Sequence, residues 1–270
     1  MSRTSSDILI LLTNDDGIHA TGLRTLEEAL SARWGTVVVA PDREQSAASH
    51  ALTLHHPLRA SPMGAGRFAV DGTPTDCVML SMHGLLPRRP DVVVSGINQG
   101  SNLGDDVIYS GTVAAAVEGA LLGARSVAIS LAPDAGEAFD FRQAAEVSVA
   151  VVERMLAEEN MGGYLLNVNV PAGMPGSARG IRVCRLGRRV FREGIFHNTD
   201  PRGRPYYWIG GQDPTWEGET DSDFQAIEDG FISVAPVRLD WTHEEGLERV
   251  RSWGLERHEP PGSGGGAAGG

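Results

Sequence analysis

Five short runs of apolar, mainly β-branched residues alternate with helical patterns along the first two-thirds of the chain. Each run is apolar on both faces, which is typical of strands in a parallel sheet that helices cover on both sides. The sequence therefore predicts an α/β fold with a doubly wound, mostly parallel sheet. The predicted strands are residues 8–13, 36–40, 91–95, 126–130 and 164–170.

Helical patterns lie between these strands. Leu23, Leu26 and Leu30 recur at the spacing of one helix face, and Gly35 is placed to end that helix. A Thr-Pro-Thr-Asp sequence at residues 73–76 is typical of a helix N-terminus, because Thr caps and Pro fits the first turn. Further helices are predicted within residues 73–86, 111–123 and 142–159.

The composition changes near residue 178. Residues 178–258 combine short strand patterns with many Gly and Pro residues, which predicts an antiparallel hairpin extension rather than further alternating units. Residues 259–270 are Gly-rich and cannot bury enough apolar surface to become ordered, so we expect a disordered tail. The predicted division is a core (1–177), an extension (178–258) and a tail (259–270).

Charge and composition narrow the possible partners. The chain has 270 residues and a formal net charge of -12, so its field repels long nucleic acids and anionic membranes. A small phosphorylated substrate is still compatible, because a local cation can reverse the potential inside one pocket. Cys77 and Cys184 lack zinc-type spacing and are expected to be buried, reduced thiols. The polar N-terminus and the lack of any long apolar run predict a soluble, cytoplasmic protein.

Two adjacent carboxylates, Asp15 and Asp16, follow the first predicted strand. A turn is one interpretation, because Asp-Gly favours turns and Asp often caps helices. However, polar clusters also follow the second, third and last predicted strands, within residues 40–50, 95–106 and 169–171. The carboxyl ends of parallel strands are where open α/β sheets bind their ligands. This recurrence favours a functional role for the aspartate pair.

Desolvated adjacent carboxylates require a positive charge nearby. One divalent cation would balance two carboxylates, and Mg²⁺ or Mn²⁺ prefers hard oxygen ligands. For the two neutral candidates, Ser46 and Asn98, spacing alone favours ordinary loop hydrogen bonding over metal ligation. The candidate oxygen ligands are Asp15, Asp16, Ser46 and Asn98.

A candidate anion site lies at residues 110–112. Ser110, Gly111 and Thr112 stand at the start of an Ala-rich helical pattern, where free N–H groups and the helix dipole favour a phosphate. A plain N-cap is the commoner role of a Ser or Thr at this position. The sequence contains neither a Walker loop nor a G-x-S-x-G elbow, which weakens NTPase and α/β-hydrolase interpretations.

The histidines carry a weaker signal. His19, His50 and His83 are each more typical of structural or solvated positions than of metal ligands. His19 and His50 flank the candidate site, so a role in proton transfer stays open, with His19 as a candidate for protonating the leaving group.

Five ordered segments resemble the hallmark segments of the SurE family, the stationary-phase survival proteins. The resemblance runs from residue 8 to 171 and extends to about residue 242, but it does not cover the Gly-rich tail. The segments are ILLTNDDGIHATGLRTL, APDREQSAASHALTL, GTPTDCV, PDVVVSGINQGSNLGDDVIYSGTVAAAVEG and LNVNVP.

The resemblance implies a metal-dependent nucleoside-monophosphate phosphatase, a 5′- or 3′-nucleotidase that also acts on short polyphosphate in some members. It implies a Rossmann-like catalytic core in residues 1–177. It also implies that residues 178–258 form an arm for assembly of a homodimer or tetramer. The implied metal ligands are Asp15, Asp16, Ser46 and Asn98. The residues implied to surround the phosphate are Asn102, Ser110, Gly111 and Thr112.

The resulting hypothesis is metal-assisted hydrolysis of a phosphomonoester, in which Asp15 or Asp16 orients or deprotonates the attacking water. One alternative is an aspartyl-phosphate phosphatase, although that chemistry usually shows Asp-x-Asp rather than an adjacent pair. The other alternative is a nucleotide-binding regulator without catalysis.

Overall fold

The structure is a computed structural model that describes residues 7–132, 139–158, 165–190, 195–209, 215–217 and 220–255. The helices within these residues are α1 (Thr21–Ser31), α2 (Pro74–Leu80), α3 (Gly111–Leu121), α4 (Arg142–Ala157), α5 (Asp223–Glu228) and α6 (Glu244–Arg251). A short π-helix spans Ser81–Leu85, and a 3₁₀ helix spans Gly104–Ile108. The strands are β1 (Leu9–Thr13), β2 (Gly35–Pro41), β3 (Ala60–Pro62), β4 (Arg67–Val70), β5 (Val92–Gln99), β6 (Arg125–Ala132), β7 (Leu165–Pro171), β8 (Ile181–Val183), β9 (Arg188–Val190), β10 (Ile195–Thr199), β11 (Pro205–Ile209), β12 (Thr215–Glu217) and β13 (Ile232–Val237).

A nine-stranded sheet organises the fold, with strand order β3-β4-β2-β1-β5-β6-β7-β13-β8. The five predicted strands are confirmed as β1, β2, β5, β6 and β7, and all their mutual pairings are parallel. The pairs β3–β4 and β7–β13 are antiparallel, so the sheet is mostly parallel as predicted. The strands β3 and β4 escaped prediction because they are only three and four residues long, too short to show a clear hydrophobic pattern.

Alternation along β1 shows how the sheet separates two apolar layers. Ile10 and Leu12 are fully buried in the layer that contains α1 and α4. Leu11, also fully buried, points to the opposite layer, which contains α2 and α3. Successive side chains of a strand point to opposite faces, so helices on both sides keep the strand dry. The doubly wound α/β prediction is therefore confirmed.

The helix signals near residues 21–35 are confirmed only in part. Leu23, Leu26 and Leu30 are buried on one face of α1, as predicted. The expected stop at Gly35 is wrong, because α1 ends at Ser31 and Gly35 begins β2, opposite Leu9 of β1. Pairing with β1 thus places Gly35 in a strand, although its local sequence predicts a helix end.

The helix predicted from residue 73 begins as expected. The Thr73 hydroxyl accepts a hydrogen bond from the Asp76 N–H at 3.1 Å, and the Asp76 carboxylate accepts one from the Thr73 N–H at 2.9 Å. This reciprocal capping box satisfies two N–H groups that a helix start leaves unpaired. Asp76 also accepts a hydrogen bond from the Thr53 N–H at 2.9 Å, so the same cap holds the segment that follows β2.

The predicted hairpin extension contains an exposed antiparallel ribbon of β10 and β11. Within the same predicted segment, β8 and β13 instead join the central sheet. The chain forms two compact units that divide after Leu239, and the second unit contains α6. The predicted boundaries at residues 177 and 258 stay predictions, and the predicted disordered tail (259–270) lies outside the described residues.

Both cysteines, Cys77 and Cys184, are buried and unpaired, as predicted. Among the helices that the structure describes, none is long and apolar enough to span a membrane.

Candidate functional site

A cavity of about 810 Å³ lies beyond the carboxyl ends of β1 and β5. Of the eight predicted site residues, six line this cavity, whereas Gly111 and Thr112 are buried behind its wall. The structure thus brings together side chains from four separate stretches of sequence at the predicted edge of the sheet. The six lining residues are Asp15, Asp16, Ser46, Asn98, Asn102 and Ser110.

Asp15 is held by the N-terminus of α3. Its carboxylate accepts hydrogen bonds from the Thr112 hydroxyl and from the backbone N–H groups of Gly111 and Thr112. These N–H groups have no partner within the helix, and the helix dipole adds positive potential at this end. Burial raises the pKa of Asp15, and the hydrogen bonds from α3 oppose that rise without cancelling it.

Gly111 permits this approach of α3 to Asp15. A Cβ atom at residue 111 would lie 2.9 Å from the Asp15 Cβ and 3.0 Å from its carboxylate. Any larger residue would therefore push the helix and the carboxylate apart. A reason for glycine at this position is evident only once the fold has brought β1 and α3 together.

Asp16 lines the same cavity and has more negative charge around it than Asp15 has. Burial, together with the negative charges of Asp15 and Glu44, raises its pKa to about 6, while a hydrogen bond from the Gln99 N–H opposes the shift. The Gln99 nitrogen lies 3.2 Å from the carboxylate. The cavity thus gathers carboxylates whose ionised forms are disfavoured by burial and mutual repulsion, and a cation would stabilise those forms.

Ser46 lies on the loop after β2. Its hydroxyl donates to the Glu44 carboxylate at 2.5 Å, while its oxygen keeps lone pairs for a cation. The loop turns through left-handed conformations at Ala47 (φ 57°) and Ser49 (φ 51°), which non-glycine residues seldom adopt. A hydrogen bond of 2.7 Å from the Gln45 N–H to the Asp15 carbonyl ties the loop to the segment that follows β1. Hydrogen bonding among neighbours, the alternative that spacing favoured, is therefore present alongside placement in the cavity.

Asn98 lies near the carboxyl end of β5, where the register with β6 shifts between Ser95 and Asn98. Its amide donates to the Gly100 carbonyl at 2.9 Å, and its side-chain oxygen lies 3.3 Å from the Thr112 hydroxyl. The hydrogen bond from the Asn98 side-chain amide to Gly100 turns the amide nitrogen away from the site. The oxygen is then available on the side of Asp15 and Thr112.

Asn102 is fixed by a buried network of amides. Its N–H donates to the Asn169 side chain at 2.8 Å, and its carbonyl accepts from the side chains of Asn167 and Asn169 at 2.8 and 3.0 Å. Its own amide donates to the Ser130 hydroxyl at 2.8 Å. The polar residues at the end of β7 therefore position Asn102, and Asn102 carries the network to the cavity wall.

Ser110 is the N-cap of α3, and its hydroxyl accepts a hydrogen bond from the Val113 N–H at 3.1 Å. The capping role that residue frequencies favour is thus observed. Ser110 also lines the cavity, so capping and ligand contact are compatible at this residue.

The histidines lie elsewhere. His19 lines a separate cavity of about 360 Å³ together with Asp42 and Arg59, so the structure does not support it as the group that protonates the leaving group. The His50 ring bonds to the buried Glu118 carboxylate at 2.8 Å and helps to hold the loop after β2. The expectation of structural roles is consistent with both positions.

Among the cavity-lining residues that sequence reasoning missed, four have ionisable side chains. Glu44 and Asp106 lie inside segments already singled out, but their residue type did not distinguish them from solvated loop residues. Tyr109 adjoins Ser110, and Arg189 comes from β9, in the predicted extension. The only signal for Arg189 in the sequence was its positive charge, which it shares with several neighbouring arginines. Its spacing from Asp15 and Asp16 gave no reason to place it beside them.

The predicted ligand set is compatible with one hard divalent cation. Its members present two carboxylates, one hydroxyl and one amide oxygen to one cavity, and burial raises the pKa of both carboxyl groups. Among the described residues, no group of three or more His, Cys, Asp or Glu side chains is arranged to hold a metal. A metal site here therefore depends on the mixed set of Asp, Ser and Asn.

Comparison with known families adds independent information. A family model described as "Survival protein SurE" matches residues 10–193. The chain belongs to the SurE family. Its resemblance to that family in ordered segments is thereby confirmed over more than half of its length.

Relatives and a solved structure extend the match over nearly the whole chain. A protein of Gemmatimonas aurantiaca, named "5'-nucleotidase SurE", is 50% identical over 92% of this chain and 99% of its own length. A protein of the same name from an Anaeromyxobacter species is 51% identical over 93% of this chain and 97% of its own. The crystal structure of the SurE protein from Aquifex aeolicus is similar with a TM-score of 0.82 and 39% identity, covering 91% and 99% of the two chains.

We predict that Asp16→Asn stabilises the metal-free chain at neutral pH. The pKa of Asp16 rises from 3.8 to about 6 on folding, so the folded state binds more protons than the unfolded state between these values. The contribution of this group to the free energy of unfolding therefore falls as the pH rises through that window. Urea unfolding in EDTA at pH 3.5 and pH 7 should show a gain for the variant only at pH 7.

The matched control is Asp42→Asn, which removes an exposed carboxylate at the end of β2. Its free energy of unfolding should follow that of the parent chain at both pH values. Equal behaviour of the two variants would contradict a desolvated Asp16.

Proposed function

We propose that this protein is a divalent-metal-dependent 5′-nucleotidase that hydrolyses nucleoside monophosphates to nucleoside and phosphate. The observation that carries the proposal is the convergence on one cavity of two adjacent carboxylates, two neutral oxygen ligands and the N-terminus of α3. The names of the relatives, which cover almost their full lengths, support the reaction class. Nucleoside 3′-monophosphates and short polyphosphate are further candidate substrates.

The residues that would hold one Mg²⁺ or Mn²⁺ ion are Asp15, Asp16, Ser46 and Asn98. When bound, such an ion supplies positive charge to the phosphate oxygens and acidifies a water. The hydrogen bonds from α3 fix the orientation of the Asp15 carboxylate in advance. A carboxylate oxygen of Asp15 or Asp16 then orients the attacking water.

The predicted phosphate-binding residues divide into two groups. Ser110 and Asn102 reach the cavity wall and would contact the phosphate directly. Gly111 and Thr112 donate to Asp15, so their contribution is to hold the carboxylate and to carry the positive end of α3 towards the site. Charge that develops on the phosphate oxygens in the transition state is stabilised by such fixed donors.

The two alternative chemistries fit the geometry less well. In an aspartyl-phosphate mechanism a carboxylate attacks phosphorus, yet Asp15 is 6% exposed and its carboxylate is already bound by several donors. A regulator without catalysis would have no need of a complete set of hard oxygen ligands. Trapping of a phosphoenzyme would favour the first alternative, and nucleotide binding without phosphate release would favour the second.

We predict that phosphate release from nucleoside monophosphates stops in EDTA and returns with added Mn²⁺ or Mg²⁺. The reason is that the carboxylate pair and the phosphate repel one another until a cation neutralises them. A colorimetric phosphate assay over a panel of 5′- and 3′-monophosphates measures the effect and the base preference together. Full activity in EDTA would refute metal dependence, and no release with any metal would refute the nucleotidase.

We predict that Asp15→Asn lowers kcat at least about 100-fold with little loss of fold. An amide oxygen can still accept the hydrogen bonds of α3, but it lacks the charge that a cation needs. Steady-state kinetics at saturating metal, with circular dichroism to check folding, test this expectation. Asp42→Asn is the control for removal of a carboxylate and should keep parent activity, while parent activity in Asp15→Asn would remove Asp15 from the site.

The predicted dimerisation arm is also part of this proposal. Every residue of β10 and β11 is exposed, including large apolar side chains such as Phe196 (56%) and Trp208 (67%), which pair across the ribbon. An apolar surface of this kind is typical of a protein–protein contact. A second copy of the chain is the partner that the family resemblance implies.

We predict that the parent chain assembles into a dimer or tetramer and that the double variant Phe196→Asp, Trp208→Asp weakens the assembly. Two buried charges oppose the contact. Light scattering coupled to gel filtration should give a mass that moves towards the 28.7 kDa of one chain. Leu54→Asp, at an apolar residue 79% exposed outside the ribbon, should leave the mass unchanged. A parent monomer, or an unaltered mass in the double variant, would contradict the proposed arm.

A further inference from the structure

The cavity has too little positive charge to balance the negative charge of a substrate phosphate. Within the described part of the chain, four carboxylates line it, those of Asp15, Asp16, Glu44 and Asp106. A phosphomonoester brings roughly 1.5 to 2 further negative charges at neutral pH. One divalent cation offsets the aspartate pair, and the whole chain carries a net charge of -12. Binding of the phosphate therefore calls for a further cation inside the cavity.

Arg189 is the only basic residue among the described residues that line the cavity. It lies on β9, which pairs with β12 and places Arg189 opposite Trp216. Its side chain is 25% exposed, so the guanidinium is largely withdrawn from water while it still reaches the cavity. A charge in such a position attracts an anion more strongly than a solvated surface charge does.

Two neighbouring aspartates fix the position of Arg189. Its backbone N–H donates to the Asp105 carboxylate at 3.0 Å, and its guanidinium donates to the Asp106 carboxylate. Both aspartates belong to the 3₁₀ helix Gly104–Ile108, which lies between Asn102 and Ser110 in the sequence. Arg189 is thereby held against the segment that carries both proposed phosphate contacts.

We propose that Arg189 binds the phosphate group of the substrate. The inference rests on the proposed nucleotidase function and adds a substrate-binding residue to that site. A planar guanidinium has five N–H donors, so it can bond to Asp106 and to phosphate oxygens at the same time. Because Arg189 belongs to the predicted extension, residues late in the chain complete the phosphate site.

A purely structural role is the competing explanation. In that case Arg189 clamps β9 to the 3₁₀ helix through Asp106, and the loss of either partner has the same effect. The two explanations differ for Asp106→Asn. A clamp is broken by this change, whereas a phosphate-binding arginine is freed from a competing anion.

The test compares Arg189→Gln, Arg189→Lys and Asp106→Asn with the control Arg188→Gln. Arg188 is the exposed neighbour on β9 and is not among the residues that line the cavity, so its loss makes the same change in net charge. We expect Arg189→Gln to weaken kcat/KM by about 10- to 100-fold, the value of a hydrogen bond to a charged group. Arg189→Lys should recover part of this loss, because it keeps the charge but not the fork. Arg188→Gln should match the parent.

Substrate choice and product inhibition locate the effect at the phosphate. The loss should be equal for adenosine 5′-monophosphate and for p-nitrophenyl phosphate, which has no nucleoside. The inhibition constant of inorganic phosphate should rise in Arg189→Gln and should stay level or fall in Asp106→Asn. Equal weakening in Arg189→Gln and Asp106→Asn, with an unaltered inhibition constant, would overturn the proposal in favour of a clamp.

Equilibrium binding separates failure of this inference from failure of the proposed function. Calorimetry with adenosine 5′-monophosphate in EDTA and with added Mn²⁺ reports binding whether or not the chain turns the nucleotide over. Weaker binding in Arg189→Gln than in Arg188→Gln supports the inference even for a chain without phosphatase activity. If the parent turns the nucleotide over and Arg189→Gln binds it as tightly as Arg188→Gln does, the inference is refuted but the proposed function is not. No binding by the parent under either condition would refute both.

Discussion

The contact between the Asp15 carboxylate and the N-terminus of α3 is the interaction on which the rest of the site depends. The hydrogen bond from Thr112 to Asp15 joins residues 97 positions apart in sequence, and it sets the end of β1 against the start of α3. Helix N–H groups without partners and a desolvated carboxylate each need the other. Once this contact forms, the positions of Asp16, Asn98 and Ser110 are largely fixed. Asp16 follows Asp15 in sequence, Ser110 is the N-cap of α3, and the Asn98 side chain lies beside Thr112.

The surrounding polar contacts brace this contact from several directions. The loop that carries Ser46 is hydrogen-bonded to the segment after β1 through Gln45, to the cap of α2 through Thr53 and to α3 through His50 and Glu118. Asn102 is held by amides at the end of β7. None of these groups needs to touch a ligand. Their effect is to fix the directions of the few that do, which is the requirement for preorganised stabilisation of developing charge.

Hydrophobic pattern predicted most of the fold because burial on both faces leaves a strong mark on a strand. The five parallel strands were recognisable for this reason, and the polar residues after them indicated the right edge of the sheet. Gly35 was misassigned because strand pairing overrode a local signal. Arg189 escaped notice because its approach depends on how β9 lies against the 3₁₀ helix. Thr112 was predicted to surround the phosphate, whereas its hydrogen bond to Asp15 follows only from the packing of α3.

The concentration of negative charge in the site lowers the free energy of unfolding of the metal-free chain. Burial raises the pKa of both Asp15 and Asp16, and Glu44 adds to the repulsion at Asp16. A chain selected for stability alone would replace such groups with neutral ones. Their arrangement is understandable if bound cations supply the missing charge, one held by the oxygen set and one, the guanidinium of Arg189, built into the chain. On this view the two cations divide the task, since the first neutralises the aspartates and the second neutralises part of the phosphate that they would otherwise repel.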